Sequence, residues 1–268
     1  MRVAELWRYP VKSLQGERLT AVEVGPEGLT GDRQWALFDV DTGFGLTARR
    51  VSDLLFAAAR LRPDGEVEVV LPDGTVTADD AVLSVWLGRP VTLRAAADAP
   101  GDRQYENPFE VEDDDEYAWD AFTGARGAFH DSSRIRVSLV STGTLGTWDR
   151  RRFRANVLLD GSGEDALVGT RVRVGGVGLD VVAPIPRCVM VTRPQPGGIG
   201  RDTSVLRTVH RERGGMLAIG ALVAHPGAVA VGDELVDLGE ADSRGSIAAS
   251  AGERGADRGA EADGDTAG

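Results

Sequence analysis

Residues 1–39, MRVAELWRYPVKSLQGERLTAVEVGPEGLTGDRQWALFD, decide the fold class. Val, Leu, Trp and Phe alternate or cluster over 2–9, 19–24 and 34–39, and glycine-rich punctuation separates these runs. That is the spelling of short strands joined by turns. The same pattern continues over 67–71 and 91–94, with Leu71-Pro72-Asp73-Gly74 as a hairpin signal. Only 81–87 reads as a short helix in this half. Several short strands with little helix predict a small barrel or sandwich.

From residue 135 the strand pattern resumes, over 135–140, 155–159, 171–174, 179–183, 189–192, 216–225 and 234–238. Two helices are expected to interrupt it. One spans 142–150 behind Ser141 as N-cap. The other spans 204–211, with Val205, Leu206 and Val209 on one face and Gly214-Gly215 as its stop. Between the two halves, 98–120 reads as an exposed acidic linker or loop, with 117–122 as a docking turn. Beyond Gly239 the chain lacks aromatics and cannot bury enough surface to fold, so a disordered tail is expected.

Charge follows the same division. The 268 residues carry a formal net charge of −12, which argues against general nucleic-acid binding. Segment 98–120 contributes −9 and residues 239–268 contribute −4, leaving the remainder near neutral. The single cysteine, Cys188, excludes an intrachain disulfide framework and any four-cysteine cluster or zinc site within this chain. The three histidines have no metal-ligand spacing. No apolar leader opens the chain and no run of 18 apolar residues occurs, so a cytoplasmic protein with no membrane span is expected.

Four segments carry residue types suited to chemistry. In Tyr9-Pro10-Val11-Lys12-Ser13 a stiffened turn presents an ammonium beside a hydroxyl, suited to an anionic group. Lys12 is the sole lysine beside 29 arginines. In Gly28-Leu29-Thr30-Gly31-Asp32-Arg33 a tight turn brings the Arg33 fork towards a ligand, or is simply a turn. The run 150–156, RRRFRAN, either faces Arg154 and Asn156 into one site or forms a basic surface patch. In Pro184-Ile185-Pro186-Arg187-Cys188 a rigid turn sets a cation beside a thiol, a pairing that favours thiolate, whereas a plain core cysteine is the alternative. Lys12 is also the only residue able to form a Schiff base with pyridoxal phosphate. Walker, G-x-S-x-G and H-E-x-x-H motifs are missing.

Together YPVKS, GLTGDRQWALFD, RFRANVLLDG, IPRCVMVTRPQ, DTSVLRTVHR and VAVGDELVDL resemble the MOSC family, the domain at the C-terminus of molybdenum cofactor sulfurases. The resemblance covers about 1–94 and 120–238, with its motifs in order. It implies a mainly β fold: a small N-terminal β-barrel domain over 1–97, packed on a MOSC β-barrel core over 121–238 with a few short helices. It further implies a molybdenum–pterin cofactor, with Cys188 as the metal-ligating, catalytic thiolate. Lys12, Ser13, Arg33, Thr142, Arg154, Asn156 and Arg187 would contribute cofactor contacts, and the family also admits pyridoxal phosphate binding.

Members similar to this chain include amidoxime-reducing components, which act on small N-hydroxylated substrates. A non-catalytic role as a cofactor or sulfur carrier is the alternative. Some bacterial relatives add a ferredoxin-like domain with a cysteine-ligated cluster. This chain has no spare cysteine, so electrons are expected from a separate donor protein. The acidic stretch around 113–115 is the expected docking surface for that donor.

Overall fold

Alternation is visible strand by strand: Val22 and Val24 turn inward from one strand, Val67 and Val69 from another, Val172 and Val174 from a third. The computed structural model describes residues 1–98, 104–108, 119–123, 127–132 and 134–241. Its first half runs β1 (Val3–Arg8), β2 (Glu17–Leu19), β3 (Ala21–Gly25), β4 (Gly28–Leu29) and β5 (Trp35–Asp39). It continues through β6 (Ala58–Leu61), β7 (Val67–Val70), β8 (Val76–Thr77), α1 (Asp80–Leu87) and β9 (Val91–Ala95). A hairpin of β10 (Gln104–Pro108) and β11 (Trp119–Thr123) follows. The second half runs β12 (Val137–Ser141), α2 (Thr142–Leu145), β13 (Val157–Leu159), β14 (Thr170–Val174) and β15 (Val177–Pro186). It ends with α3 (Thr203–Arg213), β16 (Met216–His225), β17 (Gly227–Ala230) and β18 (Leu235–Glu240).

The mainly β expectation holds, with three short helices set among strands in the described residues. Eight strands form one curled sheet in the order β18-β14-β15-β16-β12-β13-β1-β2. Its concave face buries Leu6, Leu139, Leu159, Val172, Val181 and Ile219 in one apolar cluster. Strand pairing joins the two halves of the chain, because β1 pairs with β13 and β3 pairs with β17. Smaller sheets, β5-β9 and β6-β7-β8, enclose a second core around Leu14, Leu37, Leu54, Leu55 and Leu83. Among the described residues no helix is long and apolar enough to cross a membrane.

Three expectations change. Residues 189–192, read as a strand, form a short 3-10 turn, Val189–Thr192, in which the Val191 amide donates to the Cys188 carbonyl at 3.2 Å. The helix expected over 142–150 stops at Leu145, because Gly146 takes φ 55° and ψ −116°, where an α-helix cannot continue. The acidic run spelled a loop, yet its ends pair from Gln104↔Thr123 to Pro108↔Trp119, so the turn expected at 117–122 falls largely within β11. Its charge does not report on backbone pairing. Residues 109–118, with the proposed donor surface at 113–115, and the tail from 242 lie outside the described residues.

Candidate functional site

The four segments singled out in the sequence are stitched to one another by main-chain and side-chain hydrogen bonds. The turn after β1 is laced to the turn before β5: Lys12 N donates to the Trp35 carbonyl at 2.8 Å and Arg33 N to the Tyr9 carbonyl at 2.8 Å. Asp32, fully buried, accepts from Tyr9 N at 2.8 Å and pairs with the Arg33 guanidinium. The 150–156 run joins this unit from the other half. Trp7 N donates to the Asn156 carbonyl at 2.8 Å, Asn156 Nδ2 to the Trp7 carbonyl at 3.2 Å, and Arg154 to the Leu14 carbonyl. Arg187 Nη1 then reaches back to the Phe153 carbonyl at 3.0 Å.

Backbone strain marks the junctions. Among the described residues four non-glycine residues have positive φ, and three of them are Ser13 (71°), Arg33 (52°) and Arg154 (54°). Such conformations cost about 1–2 kcal/mol each and persist only where surrounding bonds over-determine them. Here the Ser13 Oγ accepts from Ala48 N at 3.1 Å, and the Tyr9 ring lies beneath two guanidiniums, Arg154 at 4.4 Å and Arg33 at 5.3 Å.

These stitches close a cavity of about 390 Å³ whose wall includes Lys12, Ser13, Arg33, Arg154, Asn156, Arg187 and Cys188. Thr142 is not among them. It lines a separate groove of about 810 Å³ with Trp7, Gln15, Trp148 and Arg150, and its Oγ1 donates to the Gly161 carbonyl at 3.3 Å. Ser138, at the cavity, and Thr142 are four strand steps apart on and beyond β12, about 13 Å, which carries the hydroxyl away.

Electrostatically the cavity inverts the chain's overall sign. Its described wall carries six arginines and Lys12 against one carboxylate, Asp131. Lys12 is 5% exposed; its Nζ pairs with Asp131, donates to the Phe129 carbonyl at 3.3 Å and sits 4.6 Å from the Tyr105 ring centre. Burial pushes the Lys12 ammonium below its usual range, opposed by Asp131, while Lys12 and Arg33 together hold the largely exposed Asp131 carboxyl below its usual range. Burial also pushes Arg154 and Arg187 down to about 10, still charged at neutral pH.

Three cavity arginines, Arg152, Arg154 and Arg187, are held by backbone carbonyls and make no ion pair with a described carboxylate. Arg187 Nη2 is buried with no partner. A buried cation without a counter-charge is costly unless an anion supplies one. The cavity is therefore shaped and charged for an anionic ligand, with the half-buried Cys188 thiol in its wall.

Residues 1–86 match the family model described as the MOSC N-terminal beta barrel domain, and residues 128–236 match the MOSC domain. The chain belongs to the MOSC family. A molybdenum cofactor sulfurase from Drosophila grimshawi is 26% identical over 249 residues, covering 83% of this chain and 32% of its own. The chain thus spans about a third of that relative's length. Among solved structures, the YUAD protein from Bacillus subtilis superposes with a TM-score of 0.38 at 14% identity, over 87% of this chain and 93% of that one. YiiM from Geobacillus stearothermophilus gives 0.33 at 16%, over 50% and 72%.

The MOSC cavity also contains residues that the sequence did not single out. Asp131, the partner of Lys12, lies 119 positions away along the chain. His130 is buried with its Nε2 at 2.9 Å from the Glu27 carbonyl, and Tyr105 comes from inside the acidic run. Arg152 sat in a recognised run, but nothing in RRRFR told it from its neighbours. In the fold Arg150 stacks on Trp7 at 3.3 Å and pairs with Glu5, while Arg151 pairs with Asp149. Arg152 and Arg154 turn into the cavity. Among the described residues no group of three His, Cys, Asp or Glu side chains could hold a metal ion.

Proposed function

We propose that this cavity holds a molybdenum–pterin cofactor and that the protein is an oxidoreductase that reduces small N-hydroxylated or related compounds with electrons from a separate donor protein. One observation carries the reading: segments more than 170 residues apart bring Lys12, Ser13, Arg33, Arg154, Asn156, Arg187 and Cys188 to one cationic cavity. The donor set fits such a group. Carboxylate-free arginines and the unpartnered Arg187 Nη2 suit the cofactor's phosphate, and a thiolate is a soft ligand for molybdenum.

When bound, the cofactor supplies a two-electron metal centre able to accept an oxygen atom. The chain's own residues do the rest. Lys12, Ser13, Arg33 and Arg154 would bind the phosphate end, their direction fixed beforehand by the carbonyl and carboxylate bonds described above. Asn156 is held by Ser138, whose Oγ donates to its Oδ1 at 2.9 Å, leaving part of its amide for the pterin. Cys188 would ligate the metal, with Arg187 anchored beside it through the Leu217 carbonyl at 2.7 Å.

A second reading, a carrier of cofactor or of sulfur as a Cys188 persulfide, is favoured by the 26% identity to a molybdenum cofactor sulfurase. The deciding measurement is molybdenum and pterin content of the purified chain, followed by reduction of an amidoxime with a reduced viologen donor. Stoichiometric cofactor with turnover that Cys188→Ser abolishes is expected. Loaded protein that does not turn over leaves the carrier, and absence of both molybdenum and pterin overturns the reductase and the cofactor carrier, leaving only the sulfur carrier.

A further inference from the structure

Segment 152–153 grips the chain on both sides of Cys188. Upstream, the Phe153 carbonyl receives Arg187 Nη1 at 3.0 Å. Downstream, Arg152 Nη1 donates to the carbonyls of Val191 at 3.0 Å and Arg193 at 3.2 Å, and its Nη2 to that of Gly200 at 2.8 Å. Val191 in turn donates its amide to the Cys188 carbonyl at 3.2 Å, so the turn that Arg152 holds begins at the cysteine itself.

Arg152 is 8% exposed, lines the cavity and makes no ion pair with a described carboxylate. A charge buried so deeply serves no general surface role. A planar fork spreads its donors over two nitrogens and so spans carbonyls from different parts of a loop, whereas an ammonium concentrates its three donors at one point.

We propose that Arg152 is a positioning residue for Cys188: it pins residues 189–200 so that the thiol and Arg187 face the cavity together. This deepens the reading of Cys188 as a metal ligand, but it concerns the chain alone and its test needs no cofactor. Cys188 is the sole cysteine, so alkylation by iodoacetamide, followed by intact mass, reports on this position only.

The full chain is produced in a host that makes no molybdenum cofactor and alkylated well below its melting transition. Arg152→Ala is expected to react about tenfold faster than wild type, since losing charged hydrogen bonds opens the loop locally. Arg152→Lys, whose ammonium donates from a single nitrogen and cannot span all three carbonyls, should fall between the two. Val172→Ala, a truncation in the large-sheet core, is the comparison for stability alone: it should lower the melting temperature and leave alkylation unchanged. Rates within twofold of wild type in folded Arg152→Ala would overturn the proposal. If that variant does not fold, Arg152→Lys decides in the same way, and failure of the molybdenum reading would leave either result standing.

Discussion

Acidifying from pH 7 to pH 5 should remove about 2 kcal/mol of stability through His130 alone. This imidazole is 5% exposed in the cavity wall, and because its Nε2 faces the Glu27 carbonyl, which can only accept, Nε2 carries a proton. Burial first, and then the neighbouring Arg33 guanidinium, lower its pKa from 6.5 to about 4. The unfolded chain thus takes up a proton near 6.5 that the folded chain refuses until about 4. Stability from this group is present above the unfolded value and is lost as the pH falls from there towards the folded one. At about 1.4 kcal/mol per pH unit the whole shift is worth about 3 kcal/mol, most of it gone by pH 5.

Urea unfolding of wild type and His130→Gln at pH 7, 6 and 5 isolates the term. The glutamine amide also donates to the Glu27 carbonyl but does not titrate, and all carboxylates remain common to both proteins. With a urea dependence of about 3 kcal/mol per molar, the wild-type midpoint should fall about 0.6 M further than the variant's. Midpoints that fall in parallel would refute the claim that the fold holds this ring neutral.

Two further outcomes test the site's frame and the chain's edge. Asp32→Asn leaves Arg33 facing an amide donor in place of its buried partner; losing one member of such a pair costs about 3 kcal/mol or more, about 6–12 °C in melting temperature, and a fall under about 3 °C would contradict it. Removing 242–268 should leave the melting temperature within about 1 °C, whereas a cut after Gly239 should lower it measurably, because Glu240 pairs with Thr170 and Ala241 N donates to the Gly169 carbonyl at 3.1 Å.

How much of this was legible depended on whether a signal is local. Strand alternation at Val22/Val24 and Val172/Val174, the N-cap at Ser141 and the helix of 204–211, observed as Thr203–Arg213, depend on neighbours in sequence and were readable there. Apolar content at 189–192 suggested a strand, but the segment forms a 3-10 turn whose Val191 carbonyl is claimed by Arg152, a residue no local pattern could supply. Thr142 matched a hydroxyl position by sequence order, and the length of β12 took it to another face.

The sequence by itself determined the mainly β class, the segments of interest and the residue types suited to an anion and a soft metal, because periodicity, turn chemistry and side-chain identity are properties of short stretches. Only the tertiary structure decided which of them meet. It separated Arg152 and Arg154 from Arg150 and Arg151, drew Asp131 to Lys12, removed Thr142, and turned an acidic chain inside out at one cavity. The reason is physical: a charge's partner is set by distance in space, and strand pairing across 150 residues fixes that distance where no spacing in the sequence can.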